Sequence, residues 1–246
     1  MELRILGADN LRLGEAMSIA TAAEQEEPLE IYRGFEEAYF EGPVPVVPYP
    51  EWFREMFPQA YWHDDQHPYL GMRGVTQAFT EWADIRIDEH RSRVVFPIRD
   101  YEGVLAGMHG RTYVDENPPY HAYPYEGDTN RHVWMGEDRI DRDEPVLIVE
   151  SVFDFAAVWN LYENVLSPLS AAISREALAR IRWIHRVALL FDPDDAGDKA
   201  RTRVHQTLPD ATVVDLRCPD GEDPGELDDE TLAEILYPFL KEKLKC

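Results

Sequence analysis

RVALLFDPDDAGDKARTRVHQTL, residues 186–208, decides the fold. Its first part, Val187 to Phe191, is an unbroken apolar run closed by acids. Its second part, from Asp195, is polar and rich in arginine, and reads as a helix with Asp195 as its N-cap. A strand with no polar face must be buried on both sides, which marks a parallel sheet covered by helices. The same alternation surrounds it. PVLIVES (145–151) is a second apolar strand, followed by the helix VFDFAAVWNLY (152–162). VLSPLS (165–170) is a short strand, and ISREALARIRWIH (173–185) is an amphipathic helix with Ser174 placed to cap it. ATVVDL (211–216) and DDETLAEILYPFLKEKL (228–244) add a last strand and a closing helix. Strands alternating with helices predict an α/β fold with a mainly parallel sheet.

Upstream the texture is different. In RVVFPIRDYEGVLAGMHGRTYV (93–114), Val94, Val95, Phe96 and Ile98 read as one strand, Asp100–Gly103 as a turn and 104–114 as another strand. Before it, YLGMRGVTQAFTEWADI (69–85) starts as a turn and continues as a helix capped by Thr76, with Val75, Phe79 and Trp82 on one face. Residues 115–132, rich in Pro, Tyr, Asn, Asp and Gly, read as a loop. GPVPVVPYPEW (42–52), with four prolines, excludes a regular element, and IYRGFEEAYF (31–40) reads as a short amphipathic helix. The expected organisation is an amino-terminal extension over 1–66, an α+β subdomain over 67–143 and an α/β domain over 144–246.

Composition bounds the function. The chain has 246 residues, 48 acidic against 24 basic, a formal net charge of -24 and 44% hydrophobic residues. That apolar content supports a packed core and excludes wholesale disorder. No apolar run is long enough to span a membrane, and the start has no secretory leader pattern, so a cytoplasmic protein without a membrane partner is expected. Two cysteines, Cys218 and Cys246, make neither a four-ligand zinc site nor a disulfide framework. The acidic total argues on its face against a polyanionic partner, which basic surfaces usually meet. Net charge hides distribution, however, and a local basic groove survives in an acidic protein.

Functional groups of open parallel sheets gather at the carboxyl ends of the strands. Two such ends carry acids here. Glu150 ends VLIVE, with Asp154 four residues on; Asp192 and Asp194 end VALLFDPD. In a strand-like D-x-D, alternate residues point the same way, so Asp192 and Asp194 converge on one point. Clustered carboxylates repel unless a cation lies between them, and oxygen-only donors suit Mg²⁺ or Mn²⁺ rather than zinc. Such ions serve phosphoryl transfer by bridging phosphate oxygens and polarising a hydroxyl.

These stretches resemble a known family. VLIVESVFDFAAVWN looks like the E-G-x-x-D segment of the Toprim domain, VALLFDPDDAGDKARTR like its D-x-D segment, and CPDGEDPGEL like its later P-x-G-x-D-P-D/G-E stretch, which brings in Asp223. Upstream, YLGMRGVT (69–76) and RSRVVFPIRDYEGVLAGMHGR (91–111) resemble two segments of the catalytic core of bacterial-type, DnaG-like DNA primases. The resemblance covers roughly residues 69–228 and implies a compact phage or mobile-element version. It implies a nucleotidyltransferase, a DNA-directed RNA polymerase of primase type, that makes short RNA primers on single-stranded DNA from NTPs. Glu150, Asp192 and Asp194 become the catalytic acids, and Glu150, Asp154, Asp192, Asp194 and Asp223 the ligands of Mg²⁺ or Mn²⁺, with Asp154 a second ligand or an orienter of Glu150. Arg73, Arg111 and Lys199 become the nucleotide- or nucleic-acid-binding cations. A Toprim-type nuclease, or a non-catalytic replication or virion accessory protein, is the alternative the shared domain leaves open.

The chain also departs from the family pattern. Ser151 and Pro193 stand where the family has glycines, VLSPLSAAIS stands where it has a glycine-containing S-L-G-T, and PPYHAY (118–123) keeps a Tyr but lacks the Lys of K-Y-L-N. No zinc module or helicase-binding domain is visible, so no zinc is expected in this chain, and a replicative helicase or a separate zinc-bearing partner is expected instead.

Overall fold

Strands without a polar face belong at the centre of a molecule, and residues 146–149 and 187–190 are buried at every position. The computed structural model describes residues 44–243 except 63–64, 116–117, 171 and 220. The helix expected over 31–40 lies outside the described residues, as does the end of the closing helix at 244.

In chain order the first half comprises α1 (Glu51–Glu55), the two-residue strands β1 (Tyr61–Trp62) and β2 (Asp65–Gln66), α2 (Pro68–Met72), α3 (Gln77–Trp82), β3 (Arg86–Asp88), β4 (Arg93–Arg99), β5 (Leu105–Thr112) and β6 (Tyr120–Ala122). The second half comprises β7 (Val146–Val149), α4 (Val152–Trp159), β8 (Val165–Leu166), α5 (Arg175–Arg180), β9 (Arg186–Leu190), α6 (Asp195–Thr207), β10 (Thr212–Asp215) and α7 (Asp229–Lys243). No helix among the described residues is long and apolar enough to cross a membrane.

The expected hairpin is the middle of a four-stranded antiparallel sheet, β3-β4-β5-β6. Its turn is closed by the Asp100 side chain, which accepts from the backbone N–H groups of Glu102 and Val104. Gly103 supplies the positive φ, 77°, that this turn needs. The second sheet has the order β10-β9-β7-β8 and is parallel throughout, as the apolar runs require. Val149 is the register partner of Leu190, so the carboxyl ends of β7 and β9 lie side by side.

Alternation distributes the parallel sheet between two cores. Val146 and Ile148 pack with Ile181, Val187, Leu189 and Val204. Leu147 and Val149 pack on the other face, in a cluster that also holds Phe79 of α3 and Val94, Phe96 and Ile98 of β4. Aromatic rings fill the middle of that cluster. Phe79 meets Phe155 at 5.7 Å and Trp159 at 5.5 Å, and Trp82 meets the same two rings at 5.6 and 5.3 Å. Both sheets thus rest on one interior.

Thr76 caps α3 by accepting from Phe79 N, and Ser174 caps α5 by accepting from Ala177 N. Several boundaries differ from the expected ones. The helix expected through Ile85 stops at Trp82, because Asp84 enters the left-handed region at φ 49° and turns the chain into β3. The helix expected over 173–185 is regular only to Arg180. Beyond it, Trp183 Nε1 donates to Tyr101 Oη at 3.0 Å, and Tyr101 donates to the Arg180 carbonyl at 3.1 Å. Arg180 itself forms a two-bonded ion pair with the fully buried Glu137, its Nε donating to Oε1 at 2.7 Å. The hairpin turn is thereby tied to the parallel-sheet half. The stretch expected as loop, 115–132, contains β6, a three-residue edge strand too short for any alternation to show.

Candidate functional site

Glu150 follows directly on β7, at the edge where sheet strands end and helices begin. The next residue, Ser151, is the N-cap of α4 with extended backbone, φ -118°. Its Oγ accepts from Asp154 N at 3.3 Å, while Asp154 Oδ2 accepts from Ser151 N at 2.8 Å. This reciprocal capping box satisfies two helix-end donors. Serine is therefore accommodated where the family has glycine: the backbone needs no positive φ, and the hydroxyl turns back to the helix. Asp154 is only 2% exposed, and its other oxygen, Oδ1, accepts from Gly225 N at 3.1 Å. Each oxygen of Asp154 is thus already engaged by backbone, which ties the turn after Glu150 to the 223–226 loop. A side chain at 225 would crowd that contact, since a Cβ there would lie 3.3 Å from Asp154 Oδ1.

The D-x-D segment is built by the same means but distributed differently. β9 ends at Leu190, Phe191 is buried, and Asp192 is half-buried. The cap of α6 is Asp194 rather than the expected Asp195, which is the first residue of the helix. Asp194 has the extended backbone a cap requires, φ -129° and ψ 177°, and its Oδ1 accepts from Gly197 N at 2.7 Å. Asp194 is exposed, and Asp192 turns inward. Gly197 permits the approach: a Cβ at that position would stand 2.2 Å from the Asp192 carbonyl oxygen. Pro193 fits between them.

The acids form one electrostatic cluster. Burial, then Asp192, Asp154 and Asp194, push the Glu150 carboxyl up to about 7. Burial, then Asp154, Asp223 and Asp194, push Asp192 up to about 6. Asp223 is raised by burial and then by Asp154 and Glu226, while Arg73 pulls it back. Cys218 is buried beside them, and burial followed by Asp154, Asp192 and Asp223 lifts its thiol to about 12, which keeps it protonated and unreactive. Three carboxylate oxygens, Glu150 Oε2, Asp192 Oδ1 and Asp223 Oδ1, are buried without a hydrogen-bond partner. Buried acceptors of this kind are costly unless something satisfies them. An all-oxygen donor set with excess negative charge fits a hard divalent cation such as Mg²⁺ or Mn²⁺. Among the described residues no three His, Cys, Asp or Glu side chains stand already gathered in the geometry of a metal site, so a cation would have to draw these carboxylates inward.

Two of the three expected cations stand close by. Arg73 lies with its guanidinium over the Phe153 ring at 4.5 Å, its Nε buried and unpartnered, and its charge offsets part of the rise that burial imposes on the carboxyls of Asp154 and Asp223. Arg111, on β5, covers the Tyr120 ring at 4.6 Å, and its Nε donates to Tyr69 Oη at 3.4 Å. Lys199 is exposed on α6, beside Asp195, Asp198, Thr202 and Arg203 around a surface depression.

A cavity of about 670 Å³ opens in front of Glu150. Glu150, Ser151 and Val152 line one side, and His109, Tyr120, His121 and Arg131 line another. Its border includes Leu169, which has φ 58° in the segment where the family carries a glycine. A branched side chain in the left-handed region is strained. Tyr123 and Tyr125 do not reach the cavity. Tyr123 is buried with its hydroxyl donating to Asp88 Oδ2 at 2.7 Å, and Tyr125 packs on Tyr49 and Phe53 at 5.3 and 5.5 Å. His109 and Arg131 escaped the sequence reading, because nothing in the spacing of a glycine-broken strand and an irregular loop marks them; only the fold brings them to the cavity that Glu150 lines.

Residues 147–228 match the Toprim-like family. The chain is 29% identical over 147 residues to the DNA primase of Clostridium acetobutylicum, covering 56% of this chain and 25% of that protein. It is 30% identical over 163 residues to the DNA primase of Aquifex aeolicus, covering 62% of this chain and 31% of that protein. The chain thus spans well under half the length of the curated relatives it matches. In fold it is similar to a DNA primase domain from Pseudomonas aeruginosa, with a TM-score of 0.61, 23% identity and coverage of 80% of this chain and 82% of that one. It is equally similar to a DnaG primase catalytic domain bound to single-stranded DNA, with a TM-score of 0.61, 21% identity and coverage of 78% and 76%.

Proposed function

We propose that this chain, which has the fold of the DnaG-type primase catalytic core and carries a Toprim-like segment, is a nucleotidyltransferase that joins NTPs into short RNA primers on single-stranded DNA. One observation carries the reading. Glu150 and Asp192 follow adjacent parallel strands, each has a buried carboxylate oxygen without a hydrogen-bond partner, as does Asp223 in the loop after β10, and Glu150 borders a cavity the size of a nucleotide. The kinship with DNA primases over more than half of this chain supports the reaction class, and the likeness to a core that binds single-stranded DNA supports the template.

Glu150, Asp192 and Asp223 would hold Mg²⁺ or Mn²⁺, with Asp194 alongside. When bound, such ions supply charge that offsets a triphosphate and polarises an attacking hydroxyl. The remaining work falls to the protein. Glu150 is the candidate acceptor for the proton of the 3′-hydroxyl; its carboxyl is raised to about 7 by burial and the neighbouring acids when no cation lies among them, and a bound cation would bring it down. Asp154 is a positioning residue that holds the Glu150 turn and the 223–226 loop to each other. Arg73 and Arg111 offer guanidinium forks to nucleotide or template phosphates beside the acids.

The test is primer synthesis. Labelled NTPs, a single-stranded DNA template and Mg²⁺ or Mn²⁺ are expected to yield short oligomers that Glu150→Gln abolishes. Metal-dependent DNA cleavage without NTP incorporation would instead assign a nuclease. Failure of both reactions, even with a separately supplied zinc module or helicase, would assign a non-catalytic role.

A further inference from the structure

The carboxyl ends of β9 and β10 are joined by a side chain. The backbone ladder between these strands closes with Leu216 N donating to Leu189 O at 2.9 Å. Just beyond it, the carbonyls of Phe191 and Leu216 share one donor, Arg201 Nη2, at 2.6 and 3.2 Å. Two buried carbonyl oxygens that meet at the end of a ladder need a donor between them, and a guanidinium is a charged one. Arg201 comes from α6, one turn after Gly197 and so on the same face of the helix. At Gly197 that face stands so close that a Cβ would lie 2.2 Å from the Asp192 carbonyl oxygen. At Arg201 it bonds the carbonyl just before Asp192. α6 thus holds the D-x-D turn at two points. Arg201 is only 3% exposed, and its guanidinium lies 5.8 Å from the centre of the Phe191 ring. None of its nitrogens bonds a carboxylate: Nη2 serves the two carbonyls, and Nε and Nη1 are buried without a partner. Hydrogen bonding alone does not account for an arginine here, because burying two idle donors is costly. Its charge also acts on both segments that leave these strand ends. It offsets part of the rise that burial imposes on the Asp192 carboxyl after β9 and on the Cys218 thiol after β10.

We infer that Arg201 is a positioning residue for the cation site: it ties the segment that carries Asp192 to the segment that carries Asp223 and keeps their acids within reach of one cation. This rests on the reading of Asp192 and Asp223 as cation ligands. The acids on the two segments repel each other while no cation lies between them, and a buried positive charge bonded to both strand ends opposes their separation. The chain from Leu216 towards Asp223 passes through buried Cys218, so a shift at the Leu216 carbonyl carries into the loop.

The experiment is Mn²⁺ binding to the full chain, read by electron paramagnetic resonance, with hydrogen exchange on the same proteins. Arg201→Met, which keeps the stem and loses the donors and the charge, is expected to weaken Mn²⁺ binding by about tenfold, the usual loss when a group that orients metal ligands is removed. Exchange should quicken at the Leu216 and Gly225 amides and stay unchanged along β4 and β5. Arg201→Lys keeps the charge but not the planar fork, and should weaken binding by only about threefold. Asn164→Ala controls for lost stability: Asn164 Nδ2 likewise joins two carbonyls, of Pro145 at 2.9 Å and Asp141 at 3.0 Å, but before the amino end of β7. It should leave Mn²⁺ affinity unchanged even where thermal melting falls as far as in Arg201→Met. Unchanged affinity in Arg201→Met would overturn the inference, and so would tighter binding, which would make Arg201 only a charge that opposes the cation. Equal weakening by Asn164→Ala would overturn it as well. If Arg201→Met does not fold, Arg201→Lys decides, and wild-type affinity and exchange in that variant sink the inference. If Glu150→Gln weakens Mn²⁺ binding and Arg201→Met does not, the inference falls and the cation site stands. If the wild type binds no Mn²⁺, both fall together.

Discussion

The two strand ends that carry the site, 150–154 and 192–197, use the same pair of parts in opposite places. Each has one acid engaged in capping a helix and one with a buried carboxylate oxygen left unpartnered. After β7 the free acid is Glu150, and the engaged one is Asp154, deeply buried and bonded through both oxygens. After β9 the free acid is Asp192, and the engaged one is Asp194, exposed and bonded to Gly197 N. The contrast teaches that an acidic motif is not a set of equal ligands. Helix capping engages one carboxylate of each pair and leaves the other with a buried oxygen unpartnered, which is what makes that oxygen available to a cation.

The most severe break of that division is to neutralise a free acid. Glu150→Gln is expected to reduce primer synthesis by about a hundredfold or more while the fold persists. The same change should flatten the pH dependence of stability. Glu150 and Asp192 have folded-state values raised to about 7 and about 6 from 4.5 and 3.8, so the folded state holds protons that the unfolded chain releases. Their favourable contribution is complete below the unfolded values and is lost as pH climbs through the interval up to about 7. Melting in EDTA should therefore show lower stability at pH 8 than at pH 5, less so in Glu150→Gln. Mg²⁺ should stabilise the wild type more at pH 8, where it has no protons to displace.

Next in size is the anchor after β7. Asp154→Ala leaves two backbone donors unsatisfied, at Ser151 and Gly225, and should cost about 2–4 kcal/mol by denaturant titration. Asp194→Ala, which removes one exposed cap, should cost only about 1 kcal/mol. Equal losses would refute the distinction between buried and exposed anchors. Gly197→Ala falls between them: its Cβ would press on the Asp192 carbonyl, for a penalty of about 1–3 kcal/mol, and Mg²⁺ affinity should fall with it. The smallest effect is at Leu169. Alanine usually exceeds glycine in stability, but at φ 58° the order should reverse, with Leu169→Gly more stable than Leu169→Ala by about 1 kcal/mol.

Much of this was legible in the sequence because it depends on local patterns. The all-apolar runs at 146–149 and 187–190 imply a parallel sheet, Thr76 and Ser174 announce helix starts, and Asp100–Gly103 announces a hairpin. Glu150 and Asp192 could be found for the same reason, since they stand where apolar runs end. What stayed hidden depends on tertiary contact. That Asp194 rather than Asp195 caps α6 is set by backbone placement one residue earlier than composition suggests. β6 exists only because β5 offers it a partner. The engagement of Asp154 by Gly225 spans 71 residues and leaves no trace in the spacing around either.

The shared aromatic interior has a bearing on how the molecule can be cut. Phe79 and Trp82 come from one sheet's side of the chain, Phe155 and Trp159 from the other, and each pair is the other's solvent shield. A fragment begun near residue 144 would keep every carboxylate of the cluster yet present α4's bare rings to water, a surface that invites association with other copies. The smallest useful piece for dissection therefore has to include α3, even though α3 carries none of the acids.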